Sequence, residues 1–201
     1  RCRALARAAV DAGAQLFEHS EATGIGNGEV RTARGVVRAA TVIVAVDGGL
    51  ERVLPELAGR VRTVRLQMLG TAPATDVHYP RPVYARYGMD YWQQLPDGRI
   101  ALGGFRDAGG EEEWTHDARP SERVQEALEA CLRERVKTRA PITHRWAAPV
   151  SYSRDGLPLV EEVRPGVWAT GAYSGTGNVV GALCGRAVAQ LAMGGKSDLL
   201  L

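Results

Sequence analysis

Val167-Trp-Ala-Thr-Gly-Ala-Tyr-Ser-Gly-Thr-Gly-Asn178 decides how this chain is read. Its first four residues carry a strand signal, and Gly171, Ser174, Gly175 and Gly177 then crowd small residues into a turn. The pattern predicts a helix from about Gly175 to Met193. Small side chains let backbone amides converge on a ligand, and the helix start adds about half a positive elementary charge. Such a place suits a phosphate, or an aromatic ring that must hold negative charge. Spacing alone is equally compatible with a tight strand-to-helix turn and close helix packing.

Outward from that turn, the chain reads as α/β at both ends with a strand-rich middle. Leu5, Ala8, Ala9 and Ala12 recur at helical spacing, with Gly13 as a C-cap. A strand-like run from Gln15 to Ile25 turns at Gly26-Asn-Gly28 into Glu29-Val-Arg-Thr. A second turn at Ala33-Arg-Gly35 opens a long run from Val36 to Val46. The β-branched end of that run, Val42 to Val46, predicts a strand buried on both faces of a parallel sheet. Asp47-Gly-Gly49 lies at its carboxyl end, where such sheets form their ligand crevice.

Residues 61–72 read as a long strand, and Pro96-Asp-Gly98 marks a hairpin between Tyr87–Gln94 and Arg99–Arg106. Pro120-Ser-Glu-Arg opens a helix to Val136 with Val124, Leu128, Cys131 and Leu132 on one face. Strands follow near Thr143 to Ser153, Leu157 to Glu162 and Val167 to Thr170. The expected fold is therefore a partial α/β domain, residues 1–60 and 146–201, with an antiparallel-sheet domain inserted at 61–145. An insertion of this kind makes an interdomain cleft, a favoured ligand site.

Composition narrows the function classes. The 201 residues are 45% hydrophobic and 24% charged, ordinary for a soluble globular chain. A net charge of +2, with dispersed Arg, gives no electrostatic case for nucleic acid. Cys2, Cys131 and Cys184 are odd in number and far apart, which argues against disulfides or a zinc site and for a cytoplasmic location. No apolar run is long enough to span a bilayer. Arg1-Cys-Arg has no Met and no signal-peptide core, so a preceding segment is expected.

Several motifs occur in a shared order: Ala6-Arg-Ala-Ala-Val-Asp-Ala-Gly-Ala14, Val42-Ile-Val-Ala-Val-Asp-Gly48, Trp146 with Asp155-Gly-Leu-Pro-Leu-Val160, and Val167 to Gly177. That order resembles the FAD-dependent oxidoreductases that include D-amino-acid oxidase, glycine oxidase, sarcosine oxidase and gamma-glutamylputrescine oxidoreductase. Tyr87-Gly-Met-Asp-Tyr-Trp-Gln-Gln94 with Gly103-Gly-Phe-Arg106 is most similar to the last branch. The resemblance implies a two-domain flavoprotein of α+β type holding non-covalent FAD, with Gly171, Tyr173, Ser174, Gly175, Thr176, Gly177 and Asn178 along the flavin ring. It places Ala45, Asp47 and Gly48 close to the cofactor. It further implies oxidation of an amine C–N bond by hydride transfer to flavin N5.

Two features depart from the family pattern. Its G-x-G-x-x-G unit is not found in the chain, so an upstream segment or a partner chain is expected to complete the FAD site. Where amino-acid-oxidising relatives carry a Lys after the Gly-rich turn, this chain has Asn178-Val179, which turns the expectation from simple amino acids toward another amine substrate. A non-catalytic remnant and an anion- or nucleotide-binding module remain open beside the enzyme. Arg86, Tyr87, Tyr91, Trp92, Gln94, Arg106 and Trp146 are the candidate substrate residues, each with a packing or salt-bridge alternative. Strand alternation sends Tyr91 and Trp92 to opposite faces, so one of them faces the cleft. His116 and His144 are lone histidines, and Asp155 is expected to cap a turn.

Overall fold

The computed structural model describes residues 2–199. Helix α1 (Cys2–Asp11) ends at Gly13, whose φ of +94° suits glycine, and none of its described residues is buried. Strands β1 (Ala22–Gly26), β2 (Glu29–Thr32) and β3 (Gly35–Arg38) form an antiparallel meander. Gly28, at φ +79°, makes the first of its turns. Only the end of the Gln15–Ile25 run is strand, because pairing starts where Ala22 meets Thr32.

The Val36–Val46 run also divides: β3 stops at Arg38, and β4 (Val42–Val44) joins a different sheet. A short helix α2 (Leu50–Val53) leads to β5 (Val61–Pro73), β6 (Val83–Ala85), β7 (Asp90–Gln94) and β8 (Arg99–Gly104). After α3 (Arg106–Gly109) and α4 (Glu122–Glu134) come β9 (Ile142–Ser153), β10 (Leu159–Arg164), β11 (Val167–Gly171) and α5 (Gly177–Ala192).

Five strands make an antiparallel sheet in the order β6-β7-β8-β5-β9. One face packs on α4: Leu69, Trp92, Ile100 and Leu102 meet Val124, Leu128, Cys131 and Leu132. Each fully buried Leu or Ile there contributes roughly 1.5–3 kcal/mol. The register sets Tyr91 opposite Gly103, Gly103 opposite Met68 and Met68 opposite Trp146, one row across the other face. That other face is the floor of the cleft described below. β9 pairs with β5 from Ser153 back to Ile142, so this sheet runs across residue 146.

The second sheet has the order β10-β11-β4, with β11 parallel to β4. Its core joins Val42, Val44, Val167 and Ala169 to Leu50, Leu54 and Leu57. Burial on both faces of the Val42–Val46 run does not hold. Val42 and Val44 are buried, but Ile43 is 40% and Val46 51% exposed. The physical reason is that β4 pairs on one side only among the described residues, leaving one face and one edge open. Among the described residues no helix is long and apolar enough to cross a membrane.

Candidate functional site

The Gly-rich turn bridges β11 and α5. Gly175 stands at φ +89°, natural for glycine, but Ala172 (φ +53°) and Ser174 (φ +50°) are left-handed without being glycine. Residues held there cost of order 1–3 kcal/mol each and persist only when their surroundings fix them. The amides reveal what does so. Tyr173 N donates to the Asp47 carboxylate at 3.3 Å. Ser174 N donates to the Ser151 carbonyl at 3.2 Å, and Thr176 N to Tyr173 O at 2.9 Å. The amides of Gly175 and Gly177, at the head of the 16-residue α5, meet no acceptor among the described residues. They are the donors this turn can offer a ligand.

Behind the turn, Asp47 itself adopts φ +53°. Its second oxygen accepts from Ser151 N at 3.4 Å, and its carbonyl accepts from Ser151 Oγ at 2.5 Å and from Leu50 N at 3.0 Å. Burial pushes its carboxyl pKa up, with the Tyr173, Ser151 and Ala172 amides pulling the other way. Ser151 Oγ also lies 3.1 Å from Thr63 Oγ1, which donates to Glu51, and His116 Nε2 sits 3.0 Å from Glu51. A polar chain thus ties β4, β5, β9 and the turn together. Gly48 is small for a local reason: a Cβ there would lie 2.3 Å from the Pro149 carbonyl oxygen. Ala45 is exposed just beyond β4.

In front of the turn lies an open cavity of about 440 Å³. Ser174, Gly175 and Thr176 form one wall, and Leu66, Tyr84, Tyr91, Tyr152 and Arg106 line the sheet side. Two glycines let the aromatics lie flat. A Cβ on Gly103 would stand 2.6 Å from the Tyr91 ring, and one on Gly88 would stand 2.3 Å from Tyr84. The two Tyr rings stack at 6.2 Å. Burial raises the Tyr91 and Tyr152 pKa values, so both hydroxyls stay protonated at neutral pH.

Arg106 rests on Trp114 at 5.2 Å and on Tyr152 at 5.1 Å. Three carboxylates close to it in sequence are committed elsewhere. Asp107 binds Arg86, Glu111 binds Arg62 and Glu113 binds Arg65, and Arg106 forms no ion pair among the described residues. Two faces of aromatic ring and no counter-ion leave its guanidinium available to an incoming anion.

The other sequence candidates fall elsewhere. Arg86 is consumed by Asp90 (2.5 Å) and Asp107 (2.7 Å) and does not line the cavity. Trp92 is 8% exposed in the α4 core, edge-on to Tyr79, so Tyr91 is the member of the pair that faces the cleft. Trp146 shares the cleft face but lines a separate depression with Gly70 and His144. Gln94 holds the backbone carbonyls of Ala74, Val77 and Gly98, and Tyr87 lies at the rim, fully exposed. Asp155 caps the Leu157 amide at 3.0 Å. Tyr84, Trp114 and Tyr152 were missed. Alternation along β9 places Tyr152 on the Trp146 face and was the available signal, whereas Trp114 sits outside any periodic element.

Comparison with known proteins agrees with this architecture. The family model described as FAD dependent oxidoreductase matches residues 1–191. The chain is 29% identical over 214 residues to the probable oxidoreductase OrdL of Rhizobium meliloti (strain 1021), covering 97% of the chain and 46% of that protein. Among solved structures, glycine oxidase from Bacillus cereus ATCC 14579 superposes with a TM-score of 0.77 at 18% identity, over 99% of this chain and 57% of that one. L-proline dehydrogenase from P. horikoshii gives 0.78 at 20% identity, over 98% and 56%. The chain spans about half the length of the curated relatives it matches.

Proposed function

This chain belongs to the FAD dependent oxidoreductase family, and from that premise we propose that it supplies the flavin-ring and substrate half of an enzyme oxidising the C–N bond of an amine or amine-bearing acid. One observation carries the reading: the uncommitted guanidinium of Arg106 and the Gly-rich turn line the same cleft. The residues fit a flavin. The spare amides of Gly175 and Gly177 suit the electron-rich pyrimidine edge, and a cavity floored by Leu66 and Tyr rings suits a flat aromatic body. FAD, when bound, supplies the two-electron acceptor.

The chain's own residues then orient the amine. Arg106, held flat by Trp114 and Tyr152, pairs with a substrate carboxylate in a fork. Tyr84 and Tyr91 shield the amine-bearing carbon from water. The open edge of β4, with Ile43 and Val46 exposed along it, supports the further proposal that another segment or chain packs there and completes the FAD site.

A visible absorbance spectrum of the purified protein carrying this chain tests the reading, since bound flavin is coloured. Gly175→Val should abolish that colour while far-UV circular dichroism stays unchanged. Valine cannot take φ +89° without strain, and its Cβ would stand 3.2 Å from the Tyr152 hydroxyl. Normal flavin content in the variant would refute the placement, and a colourless parent protein would refute the function.

A further inference from the structure

We propose that Asp47 is a positioning residue, whose half-buried carboxylate grips the turn from behind and fixes the shape in which Gly175 and Gly177 present their amides to the cleft. The inference rests on the flavin reading of that turn but concerns a residue that does not line the cleft. Asp47 is absent from the cavity wall, and its two oxygens are occupied by the amides of Ser151 and Tyr173.

The reason to assign it a role is the strain it faces. Ala172 and Ser174 hold left-handed backbone on either side of Tyr173, where no Gly relieves them. Left-handed backbone at a ligand-facing turn persists when the surroundings over-determine it. Asp47 takes the Tyr173 amide between them, and the Ser151 carbonyl takes that of Ser174. Asp47 is fixed in turn by Ser151 Oγ on its carbonyl and by the Thr63–Glu51–His116 chain behind Ser151. The grip therefore runs from the end of β4 and from β9 to the turn just before Gly175.

An acceptor-only group is required. A carboxylate receives amide hydrogens on both oxygens, whereas the Asn amide would point an NH2 donor at one of those N–H groups. Asp47→Asn keeps the size and changes only that chemistry. In the protein carrying this chain, without cofactor, amide exchange at 172–174 should speed up at least tenfold while the β5–β9 ladder keeps its parental rates. The dissociation constant for FAD, titrated by flavin fluorescence, should rise at least tenfold.

Relieving the strain separates positioning from simple destabilisation. Adding Ala172→Gly and Ser174→Gly to Asp47→Asn gives the turn its φ without a clamp, so FAD affinity should recover by at least threefold over Asp47→Asn alone. Should Asp47→Asn fail to fold, Asp47→Ser, with one short acceptor, serves for the same measurements and carries the same expectation. Unchanged exchange at 172–174 overturns the clamp, whatever the flavin does. Faster exchange with an unchanged FAD constant overturns its link to the ligand. A parent protein that takes up no FAD overturns the flavin reading, and the exchange rates still decide the clamp.

Discussion

Glu113→Gln is the sharpest test of what anchors the segment between α3 and α4 to the sheet. Glu113 is fully buried, and its two oxygens accept from Arg65 Nε at 2.9 Å, Arg65 Nη2 at 2.7 Å, Gln67 Nε2 at 2.7 Å and Ser121 Oγ at 2.8 Å. Arg65 is itself 7% exposed, so the carboxylate is its buried counter-ion. Gln keeps the shape but removes the charge and turns a donor toward a guanidinium that only donates. Breaking a buried pair on one side costs about 3–5 kcal/mol. That is a large part of the roughly 5–15 kcal/mol that stabilises a typical domain. With an m value of about 2 kcal/mol/M, the urea midpoint should fall by about 2 M without a change in slope. The pair Arg65→Met with Glu113→Leu removes both charges and should recover most of the loss. A single-variant loss under about 1 kcal/mol would refute the reasoning. The pH dependence has a definite sign. Burial alone would raise the Glu113 pKa, but the bonds from Arg65, Gln67 and Ser121 together outweigh it and lower it below its ordinary 4.5. The stability from this group is therefore present above that value and is lost as pH falls through the lowered one. Parent protein should lose urea resistance below about pH 4, and Glu113→Gln should lack that step.

Arg106→Lys keeps the charge but loses the fork and the aromatic stacking, so kcat/KM for a carboxylate-bearing amine should fall roughly 10- to 150-fold by steady-state kinetics; a carboxylate-free amine should be spared. Arg86→Leu should act on stability instead, losing about 3 kcal/mol in urea titration because fully buried Asp90 then keeps, among the described residues, only Arg135 as a cation partner, at 3.4 Å. A loss of substrate affinity without loss of stability would contradict that assignment. Gly103→Ala should push the Tyr91 ring off the sheet and raise KM about tenfold, equivalent to about 1.4 kcal/mol, with flavin content unchanged.

Much of the fold was legible because it rests on local chemistry. Asn27-Gly28 and Asp97-Gly98 made hairpins because glycine takes their positive φ at no steric cost, and Val124, Leu128, Cys131 and Leu132 met the sheet because their spacing is one helix face. The strand ends were less legible. A run of β-branched residues states a preference for extended backbone but not which neighbour it will pair with. Val36–Val46 accordingly became two strands in two sheets, and Gln15–Ile25 shrank to Ala22–Gly26. Burial of Ile43 and Val46 was misread for the same reason, since it depends on what lies across the sheet.

The site shows where sequence patterns stop carrying information. Arg86 and Arg106 flank the same hairpin with acidic residues nearby, and no spacing rule distinguishes them. The distinction is made by accounting: Asp90 and Asp107 are used up by Arg86, while Glu111 and Glu113 are used up by Arg62 and Arg65, strands away in sequence. Arg106 is available because its neighbours are taken. The turn follows the same logic. Its glycines announced free amides, yet the amides at 173, 174 and 176 have internal acceptors, while those at 175 and 177 meet none among the described residues. Binding capacity in both places is what remains after the protein has satisfied its own polar groups. A carboxylate placed to take one more amide, or one fewer, would change the ligand as surely as a change in the cleft wall.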